Sequence, residues 1–332
     1  MRNRQPVFFR NHLEGNISHV VKATNLEELF EGLSYFFNQL LLEDEINPVS
    51  LDSFIEIHGN TLREYNYFEI PKKSGGYREI SAPSQSLKLI QRAISDVLTE
   101  LYSPLPCVHG FVPYRNIVTN ASLHTNKKYI LNVDIQDFFP NTAYASIIKV
   151  LKVAPFSFHD VVAKAIARFA CLNGGLPQGS PLSPILTNMY CVTLDNQLSE
   201  LAKSYKLHYS RYADDLTFSG SKPVFNKRFF SALNKIVRNS GYQLKQSKTR
   251  IQSKNMRQEV TGLVVNDKIN VNRHYIRELR AMIHLSQKRY NPNLYEKIEG
   301  KLAFLSMVKG KDQVYRNLNS KFKAISHGRP IN

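Results

Sequence analysis

Long apolar runs are missing from this chain. The richest stretch, Val161 to Leu172, already carries Lys164 and Arg168, well short of the roughly 18 uninterrupted apolar residues that a membrane-crossing helix needs. Arg2, Arg4 and Arg10 make the start basic, but only Val7-Phe8-Phe9 follows as an apolar patch, too short for a secretory signal. Cysteine is scarce too. Cys107, Cys171 and Cys191 are odd in number, scattered and without a Cys-x-x-Cys pair. That argues against a disulfide framework or a zinc finger and leads us to expect a reducing, cytoplasmic setting with no membrane partner. Internal repeats of about 20–50 residues and low-complexity tracts are also lacking, which removes solenoids from consideration.

What is present is positive charge. Lys and Arg total 44 against 27 Asp and Glu, a formal net of +17 over 332 residues. Residues 270–332 hold 13 basic and 4 acidic side chains, whereas residues 1–60 hold 4 basic and 9 acidic. An excess of this size speaks of partners, and a polyanion touching the middle and the C-terminal part is the expectation. At 42% hydrophobic residues the chain can still bury two or three packed subdomains.

Periodicity sketches the order of elements. Thr24-x-x-Glu27 has the form of a capping box, and Leu26, Leu29, Phe30, Leu33, Phe37, Leu40 and Leu41 follow at helical spacing, predicting a helix over about 25–43. Tyr65 to Ile80 reads as a basic β-hairpin turning at Lys73-Ser74-Gly75-Gly76, and Ser84 to Tyr102 as a helix. Tyr129 to Asp134 suits a buried strand that ends in a carboxylate. Helices are expected over about 143–152, 158–172 and from Pro184 to about 203. Two short strands flank Ala213-Asp214-Asp215, with a helix over about 223–239, a strand over about 243–252 and a strand pair around 260–271 to follow. Three apolar stripes then predict a helical bundle: Ile276, Leu279 and Ile283; Leu294, Ile298, Leu302 and Leu305; Val314, Leu318 and Phe322. The class is α+β with an α module at the end.

Asp134 closes an apolar strand, where a bare carboxylate is costly without a positive partner. Asp214 and Asp215 sit side by side on a hairpin tip and repel each other. Two readings stand: a polar turn, since turns favour Asp, or an oxygen-rich site for Mg²⁺.

The surrounding residues resemble a known family. Tyr212-Ala213-Asp214-Asp215 is similar to the active-site tetrapeptide of reverse transcriptases. Asp134-Ile135-Gln136-Asp137-Phe138-Phe139-Pro140 resembles their first metal-binding block, and Leu176-Pro177-Gln178-Gly179-Ser180-Pro181-Leu182-Ser183-Pro184 their nucleotide-pocket block. Pro71 to Arg78 resembles the basic fingers strands, and Gly241-Tyr242-Gln243-Leu244-Lys245-x-x-Lys248-Thr249 a later palm block. Asn120-Ala121-Ser122-Leu123-His124 and Val260-Thr261-Gly262 fit two signatures of retron-type bacterial reverse transcriptases.

The resemblance implies a right-hand polymerase, with interleaved fingers and palm over 61–268 and a basic helical thumb over 269–332; residues 1–60 match nothing in it and are read from their charge and periodicity as an acidic helical extension. It implies that Asp134, Asp214 and Asp215, with the Ile135 carbonyl, bind two Mg²⁺ ions. By the same resemblance Phe139 is a steric gate against 2′-hydroxyls and Gln178 shapes the dNTP pocket. Lys72, Lys73 and Arg78 grip the triphosphate, and Lys248 assists pyrophosphate departure. Asn120, His124, Val260, Thr261 and Gly262 are implied to serve RNA recognition; for Asn120 and His124 the residues themselves leave a second reading open, a satisfied structural His–Asn pair. Arg273, Arg277 and Arg280 fall at i, i+4 and i+7, a phosphate-tracking stripe on the first thumb helix, and Tyr275, Tyr290 and Tyr295 are candidates to stack on bases, with core packing the expectation for at least one of them. The implied function is an RNA-directed DNA polymerase that copies part of a cognate noncoding RNA into multicopy single-stranded DNA. It is implied to prime from an internal 2′-hydroxyl, and to act in antiphage defence beside a separate effector protein. The acidic first 60 residues either serve that protein partner or pack on the basic body.

Overall fold

The computed structural model describes residues 7–43, 64–72, 75–288 and 291–326. In chain order the first elements are α1 (Val7–Lys22), α2 (Leu26–Glu43), β1 (Tyr65–Pro71), β2 (Tyr77–Pro83), α3 (Gln85–Leu101), α4 (Ile117–Ser122) and β3 (Tyr129–Asp134). Next come α5 (Tyr144–Lys152), α6 (Asp160–Ala170), α7 (Ser183–Tyr190), α8 (Val192–Ser204), β4 (His208–Tyr212), β5 (Asp215–Gly220) and α9 (Lys227–Asn239). The last are β6 (Arg250–Ser253), β7 (Glu259–Val260), β8 (Leu263–Val264), α10 (Arg273–Lys288), α11 (Pro292–Lys309) and α12 (Gln313–Ser326). They divide into two compact units, one drawn from residues up to Leu105, Ile135–Gln197 and Lys235–Gln243, the other from Pro106–Asp134, Leu198–Asn234 and Leu244 onward.

The first unit is mostly helical. The stripe on α2 buries Leu29, Leu33, Phe37 and Leu41 completely, in one cluster with Ile90, Ile94 and Val97 of α3 and Val162 and Ile166 of α6. Each such side chain contributes about 1.5–3 kcal/mol of burial, so α2 is core. Of the two readings of the acidic N-terminal stretch, packing on the body is the one α2 follows. Its cap forms one residue later than the sequence pattern suggests: Asn25 Oδ1 accepts from Glu28 N, and Glu28 reaches back to Thr24 N. Asn25 is the cap, and Glu28, not Glu27, is the carboxylate that turns back, accepting from the amide and hydroxyl of Thr24, the residue before the cap. Helix α1 precedes it, where the sequence pattern gave no expectation.

The hairpin β1–β2 is antiparallel, with Ile70 opposite Arg78. Ser81 N donates to Gln178 O at 2.8 Å, tying β2 to the Gly/Pro loop. Gly179 allows this: its φ is +129°, and a Cβ there would lie 2.7 Å from Ser81 O, closer than any side chain tolerates.

The second unit is built on an antiparallel sheet of order β4-β5-β3-β6. Its two central strands are buried on both faces: β5 from Leu216 to Gly220, and β3 at Ile130, Leu131, Val133 and Asp134. The expected strand over 243–252 shortens to β6. Lys245 N bonds Asp134 O, and Gln246–Lys248 winds into a 3₁₀ turn, so this segment is held at the end of β3 and joins the ladder only from Arg250. Helices α10, α11 and α12 share one apolar cluster with Val260, Leu263 and Val265. Among the described residues, no helix is long and apolar enough to cross a membrane.

Candidate active site

Strand β5 places Asp215 directly opposite Asp134 on β3 and opposite Tyr212 on β4. Ala213 and Asp214 form the two-residue turn between β4 and β5, with Ala213 at φ +56°, the left-handed backbone that such hairpin turns require. Asp134 is 4% exposed, and its partner is the Lys248 ammonium. The Asp215 side chain keeps an open rim, but its carboxyl is pushed up to about 7 by loss of solvent and by the charges of Asp214 and Asp134, against the opposing pull of Lys248 and Arg250. Partial burial works against the Lys248 charge, and the bond to Asp134 with the fields of Asp214 and Asp215 outweighs it, raising its pKa.

The arrangement is therefore negative charge in excess of the nearby cations. A divalent cation is the chemical fit for such hard oxygen donors. Among the described residues, no three His, Cys, Asp or Glu side chains are gathered as a ready cage, and Asp134 instead holds Lys248.

The turn is braced from behind. The segment 107–110 runs beside β4: Arg211 N donates to Cys107 O and His109 N to Arg211 O, both at 2.8 Å. Gly110 lies so close that a Cβ on it would meet Ala213 N at 2.4 Å. Arg211 is fully buried and donates through its guanidinium to Ala213 O at 3.3 Å, holding the carbonyl of the left-handed residue. Sequence reasoning missed Arg211 and Gly110, since neither carries a motif of its own.

Asn120 and His124 have no exposed surface, which corrects their expected role as RNA-facing residues. Helix α4, capped by Asn116, presents Asn120 to the hairpin, and His124 follows two residues beyond the helix. His124 Nε2 lies 2.8 Å from Ser210 Oγ on β4, His124 Nδ1 2.7 Å from Ser219 Oγ on β5, and Ser210 Oγ donates to Asn120 Oδ1 at 2.6 Å. Val260 is buried in the apolar cluster as well and offers RNA nothing. Thr261 and Gly262, at φ +47° and +80°, are the two-residue turn between β7 and β8. Gly262 has open space beside it among the described residues, and its positive φ is a conformation that glycine adopts without strain. Thr261 Oγ1 donates to Ile117 O at 3.3 Å, so both signatures converge on α4.

Burial and the neighbouring positive charges of His208, His109 and Lys127 hold the His124 imidazole down at about 3. The folded chain refuses a proton that the unfolded chain, with an ordinary histidine near 6.5, takes up. The associated stability is thus whole above pH 6.5 and is lost as pH falls toward 3, by about 2 kcal/mol at pH 5 and about 5 kcal/mol at the limit. Urea unfolding at pH 7 and pH 5 checks this: His124→Gln is expected to flatten the loss, and an equal loss in both proteins would contradict it.

The remaining candidates lie elsewhere. In the first unit, Lys72 and Arg78 are exposed on the hairpin, Gln178 is half-buried, and Phe139 is half-buried with its ring 5.7 Å from that of Phe138; Lys73 is outside the described residues. The hairpin and the Gln178 loop meet through the Ser81 bond described above. In the second unit, Arg273, Arg277 and Arg280 are exposed and line a cleft of about 480 Å³ with Lys309, over Ile276 and Val314. Tyr295 is buried against Phe322, and Tyr275 donates to Lys301 O beneath the Lys301 ammonium. Neither ring is placed to stack on a base, because each is already used in packing; Tyr290 is outside the described residues.

Comparison with known proteins gives this geometry its context. The family profile for reverse transcriptase (RNA-dependent DNA polymerase) matches residues 70–285. Retron Mx65 reverse transcriptase of Myxococcus xanthus is 33% identical over 264 residues, covering 74% of this chain and 62% of that protein. Retron Mx162 reverse transcriptase of the same organism is 34% identical, covering 75% and 59%. The chain thus spans about three-fifths of the length of these two relatives. Retron Ec86 reverse transcriptase of Escherichia coli is 32% identical over 252 residues, covering 74% of this chain and 77% of that protein. The α+β class read from the sequence is the family's right-hand polymerase fold, and the chain belongs to the retron-type reverse transcriptases.

Proposed function

We propose that this chain is an RNA-directed DNA polymerase whose chemistry centres on Asp134, Asp214 and Asp215. The observation that carries the reading is the β3–β5 register, which sets Asp134 opposite Asp215 with Asp214 next to it in the turn. The excess negative charge there supports these three side chains, with the Ile135 carbonyl next along the chain, as the holders of two Mg²⁺ ions. Bound magnesium supplies charge neutralisation for phosphoryl transfer and a more acidic primer hydroxyl.

The protein's own residues do the rest. Lys248 pairs with the Asp134 carboxylate, and its ammonium is a donor for a leaving pyrophosphate. Arg78, Lys72 and Lys73 bind triphosphate oxygens, the guanidinium as a fork and the ammonium groups as mobile charges. Phe139 excludes a 2′-hydroxyl and Gln178 shapes the dNTP pocket. Arg273, Arg277 and Arg280, with Lys309, bind backbone phosphates of the nucleic acid. In domain terms, residues 61–268 are fingers and palm, 269–332 a thumb, and 1–60 an extension.

The retron relatives support a finer reading. The template is a cognate structured noncoding RNA, copied into multicopy single-stranded DNA from an internal 2′-hydroxyl, in the cytoplasm and in antiphage defence with a separate effector protein. The test is to incubate the purified chain with the noncoding transcript encoded beside its gene, Mg²⁺ and dNTPs. A DNA product that stays attached to RNA after denaturation, and is freed by ribonuclease, is the expected outcome. DNA without an RNA attachment would refute the retron priming, and no DNA would refute the polymerase.

A further inference from the structure

We propose that Asn120 and His124 are positioning residues for the aspartate-bearing hairpin, acting through a directed hydrogen-bond chain. The inference rests on the reading of Asp214 and Asp215 as catalytic.

The direction of the chain follows from counting protons. Ser210 has one hydroxyl proton and gives it to Asn120 Oδ1. Its oxygen must then accept from His124 Nε2–H across 2.8 Å. A neutral imidazole with its proton on Nε2 has only an acceptor left at Nδ1, so Ser219 donates there across 2.7 Å. One imidazole therefore joins β4 to β5 from the side, and every bond in the chain fixes the next.

The place of the two serines gives the chain its purpose. Ser219 lies four residues after Asp215 on β5, and Ser210 four residues before Asp214. With side chains alternating along a strand, Ser219, Thr217 and Asp215 share one face of β5, and Asn132 Nδ2 donates to Thr217 Oγ1 between them at 3.3 Å. A slip of β5 by one residue would turn Asp215 to the opposite face. The short turn at Ala213 and Asp214 resists such a slip at one end of the hairpin, and the His124 chain resists it at the other.

The chain is not what packing alone would select. Asn120 is fully buried and its Nδ2 has no hydrogen-bond partner among the described residues, a desolvation cost that an apolar residue would avoid. What it supplies in return is geometry. Helix α4, which carries Asn120, also accepts the Thr261 hydroxyl, so its position is set from the far side by the β7–β8 turn.

The test measures DNA synthesis on poly(rA) primed with oligo(dT), alongside affinity for that duplex and thermal unfolding. His124→Leu removes both ends of the link. His124→Gln restores one acceptor and one donor at nearly the spacing of the two ring nitrogens. The Leu variant is expected to lose about tenfold to a hundredfold in kcat, the scale of a slightly misplaced reactive group, with KM for dTTP and duplex affinity within about twofold of the parent. The Gln variant is expected to recover most of the rate. Should the Leu variant fail to fold, Ser219→Ala, which deletes one oxygen, is expected to show the same split between kcat and KM. Loss of duplex affinity at unchanged kcat would overturn the proposal in favour of nucleic-acid contact. Equal loss in the Leu and Gln variants, or none in either, would also overturn it. Asp215→Asn in the same assay separates the two layers: if synthesis survives that change the catalytic reading falls, whereas its abolition beside an unaffected His124→Leu removes the positioning role alone.

Discussion

Asp215→Asn is expected to abolish DNA synthesis, by at least about a thousandfold, while the protein melts no lower than the parent. The two halves of this expectation have one cause. Asp215 faces Asp134 across the β3–β5 ladder and adjoins Asp214, and its carboxyl is pushed up to about 7 because losing its charge relieves both desolvation and repulsion. An amide of the same shape keeps the strand geometry and removes the repulsion. It also removes one of three hard oxygen donors, so a cation held by the group loses an anionic ligand. Activity and stability should therefore part company. Thermal unfolding and primer extension on the same preparation check this. A variant that melts markedly lower would show Asp215 to be structural, and one that keeps its activity would show the aspartates to be a polar turn.

Gly110→Ala is expected to produce the second-largest effect. The added methyl would lie 2.4 Å from Ala213 N and 3.1 Å from Tyr212 C. Both are backbone atoms of the tight turn, so no side chain can swing away. Either the 107–110 segment lifts from β4, losing its two backbone bonds with Arg211, or the turn shifts and carries Asp214 with it. Overpacking of this kind costs about 1–3 kcal/mol, and a displacement of the aspartates costs activity about a hundredfold. Gly262→Ala serves as the contrast. It meets open space and suffers only its left-handed φ, so activity on a primed template should change little. If Gly110→Ala were as active as the parent, the contact between that segment and the turn would have no bearing on catalysis.

The sequence was most informative where one stretch of chain decides its own fate. The apolar run ending at Asp134, the stripe on α2 and the two short strands flanking Ala213 could be read locally, as could the two-strand hairpin at Tyr65 to Ile80. Illegible were the relations decided by distant segments. For Asn120 and His124 the sequence leaves RNA recognition and a satisfied structural pair both open, and only their partners, 86 to 95 residues away in the chain, decide for the second. A serine on a strand gives no sign that it will receive an imidazole, and a lone glycine gives no sign that another backbone will cross it. The strand expected over 243–252 failed for the same reason, because the bond that diverts it comes from the main chain at Asp134. Helix α4 is too short for periodicity to register and owes its start to the cap at Asn116.

The interleaving of the two units in sequence sets a rule for how the protein is made. The first unit closes its core with residues near both Leu29 and Tyr242, and the second draws on Ala121 at one end and Phe322 at the other. Neither can be completed by an early portion of the nascent chain. Contacts so distant are slow to form, and partly made cores expose apolar surface. Each core therefore closes only once its distant segments have all been made, and removing α12, which supplies Leu318 and Phe322 to the apolar cluster, would leave the unit that carries the aspartates open.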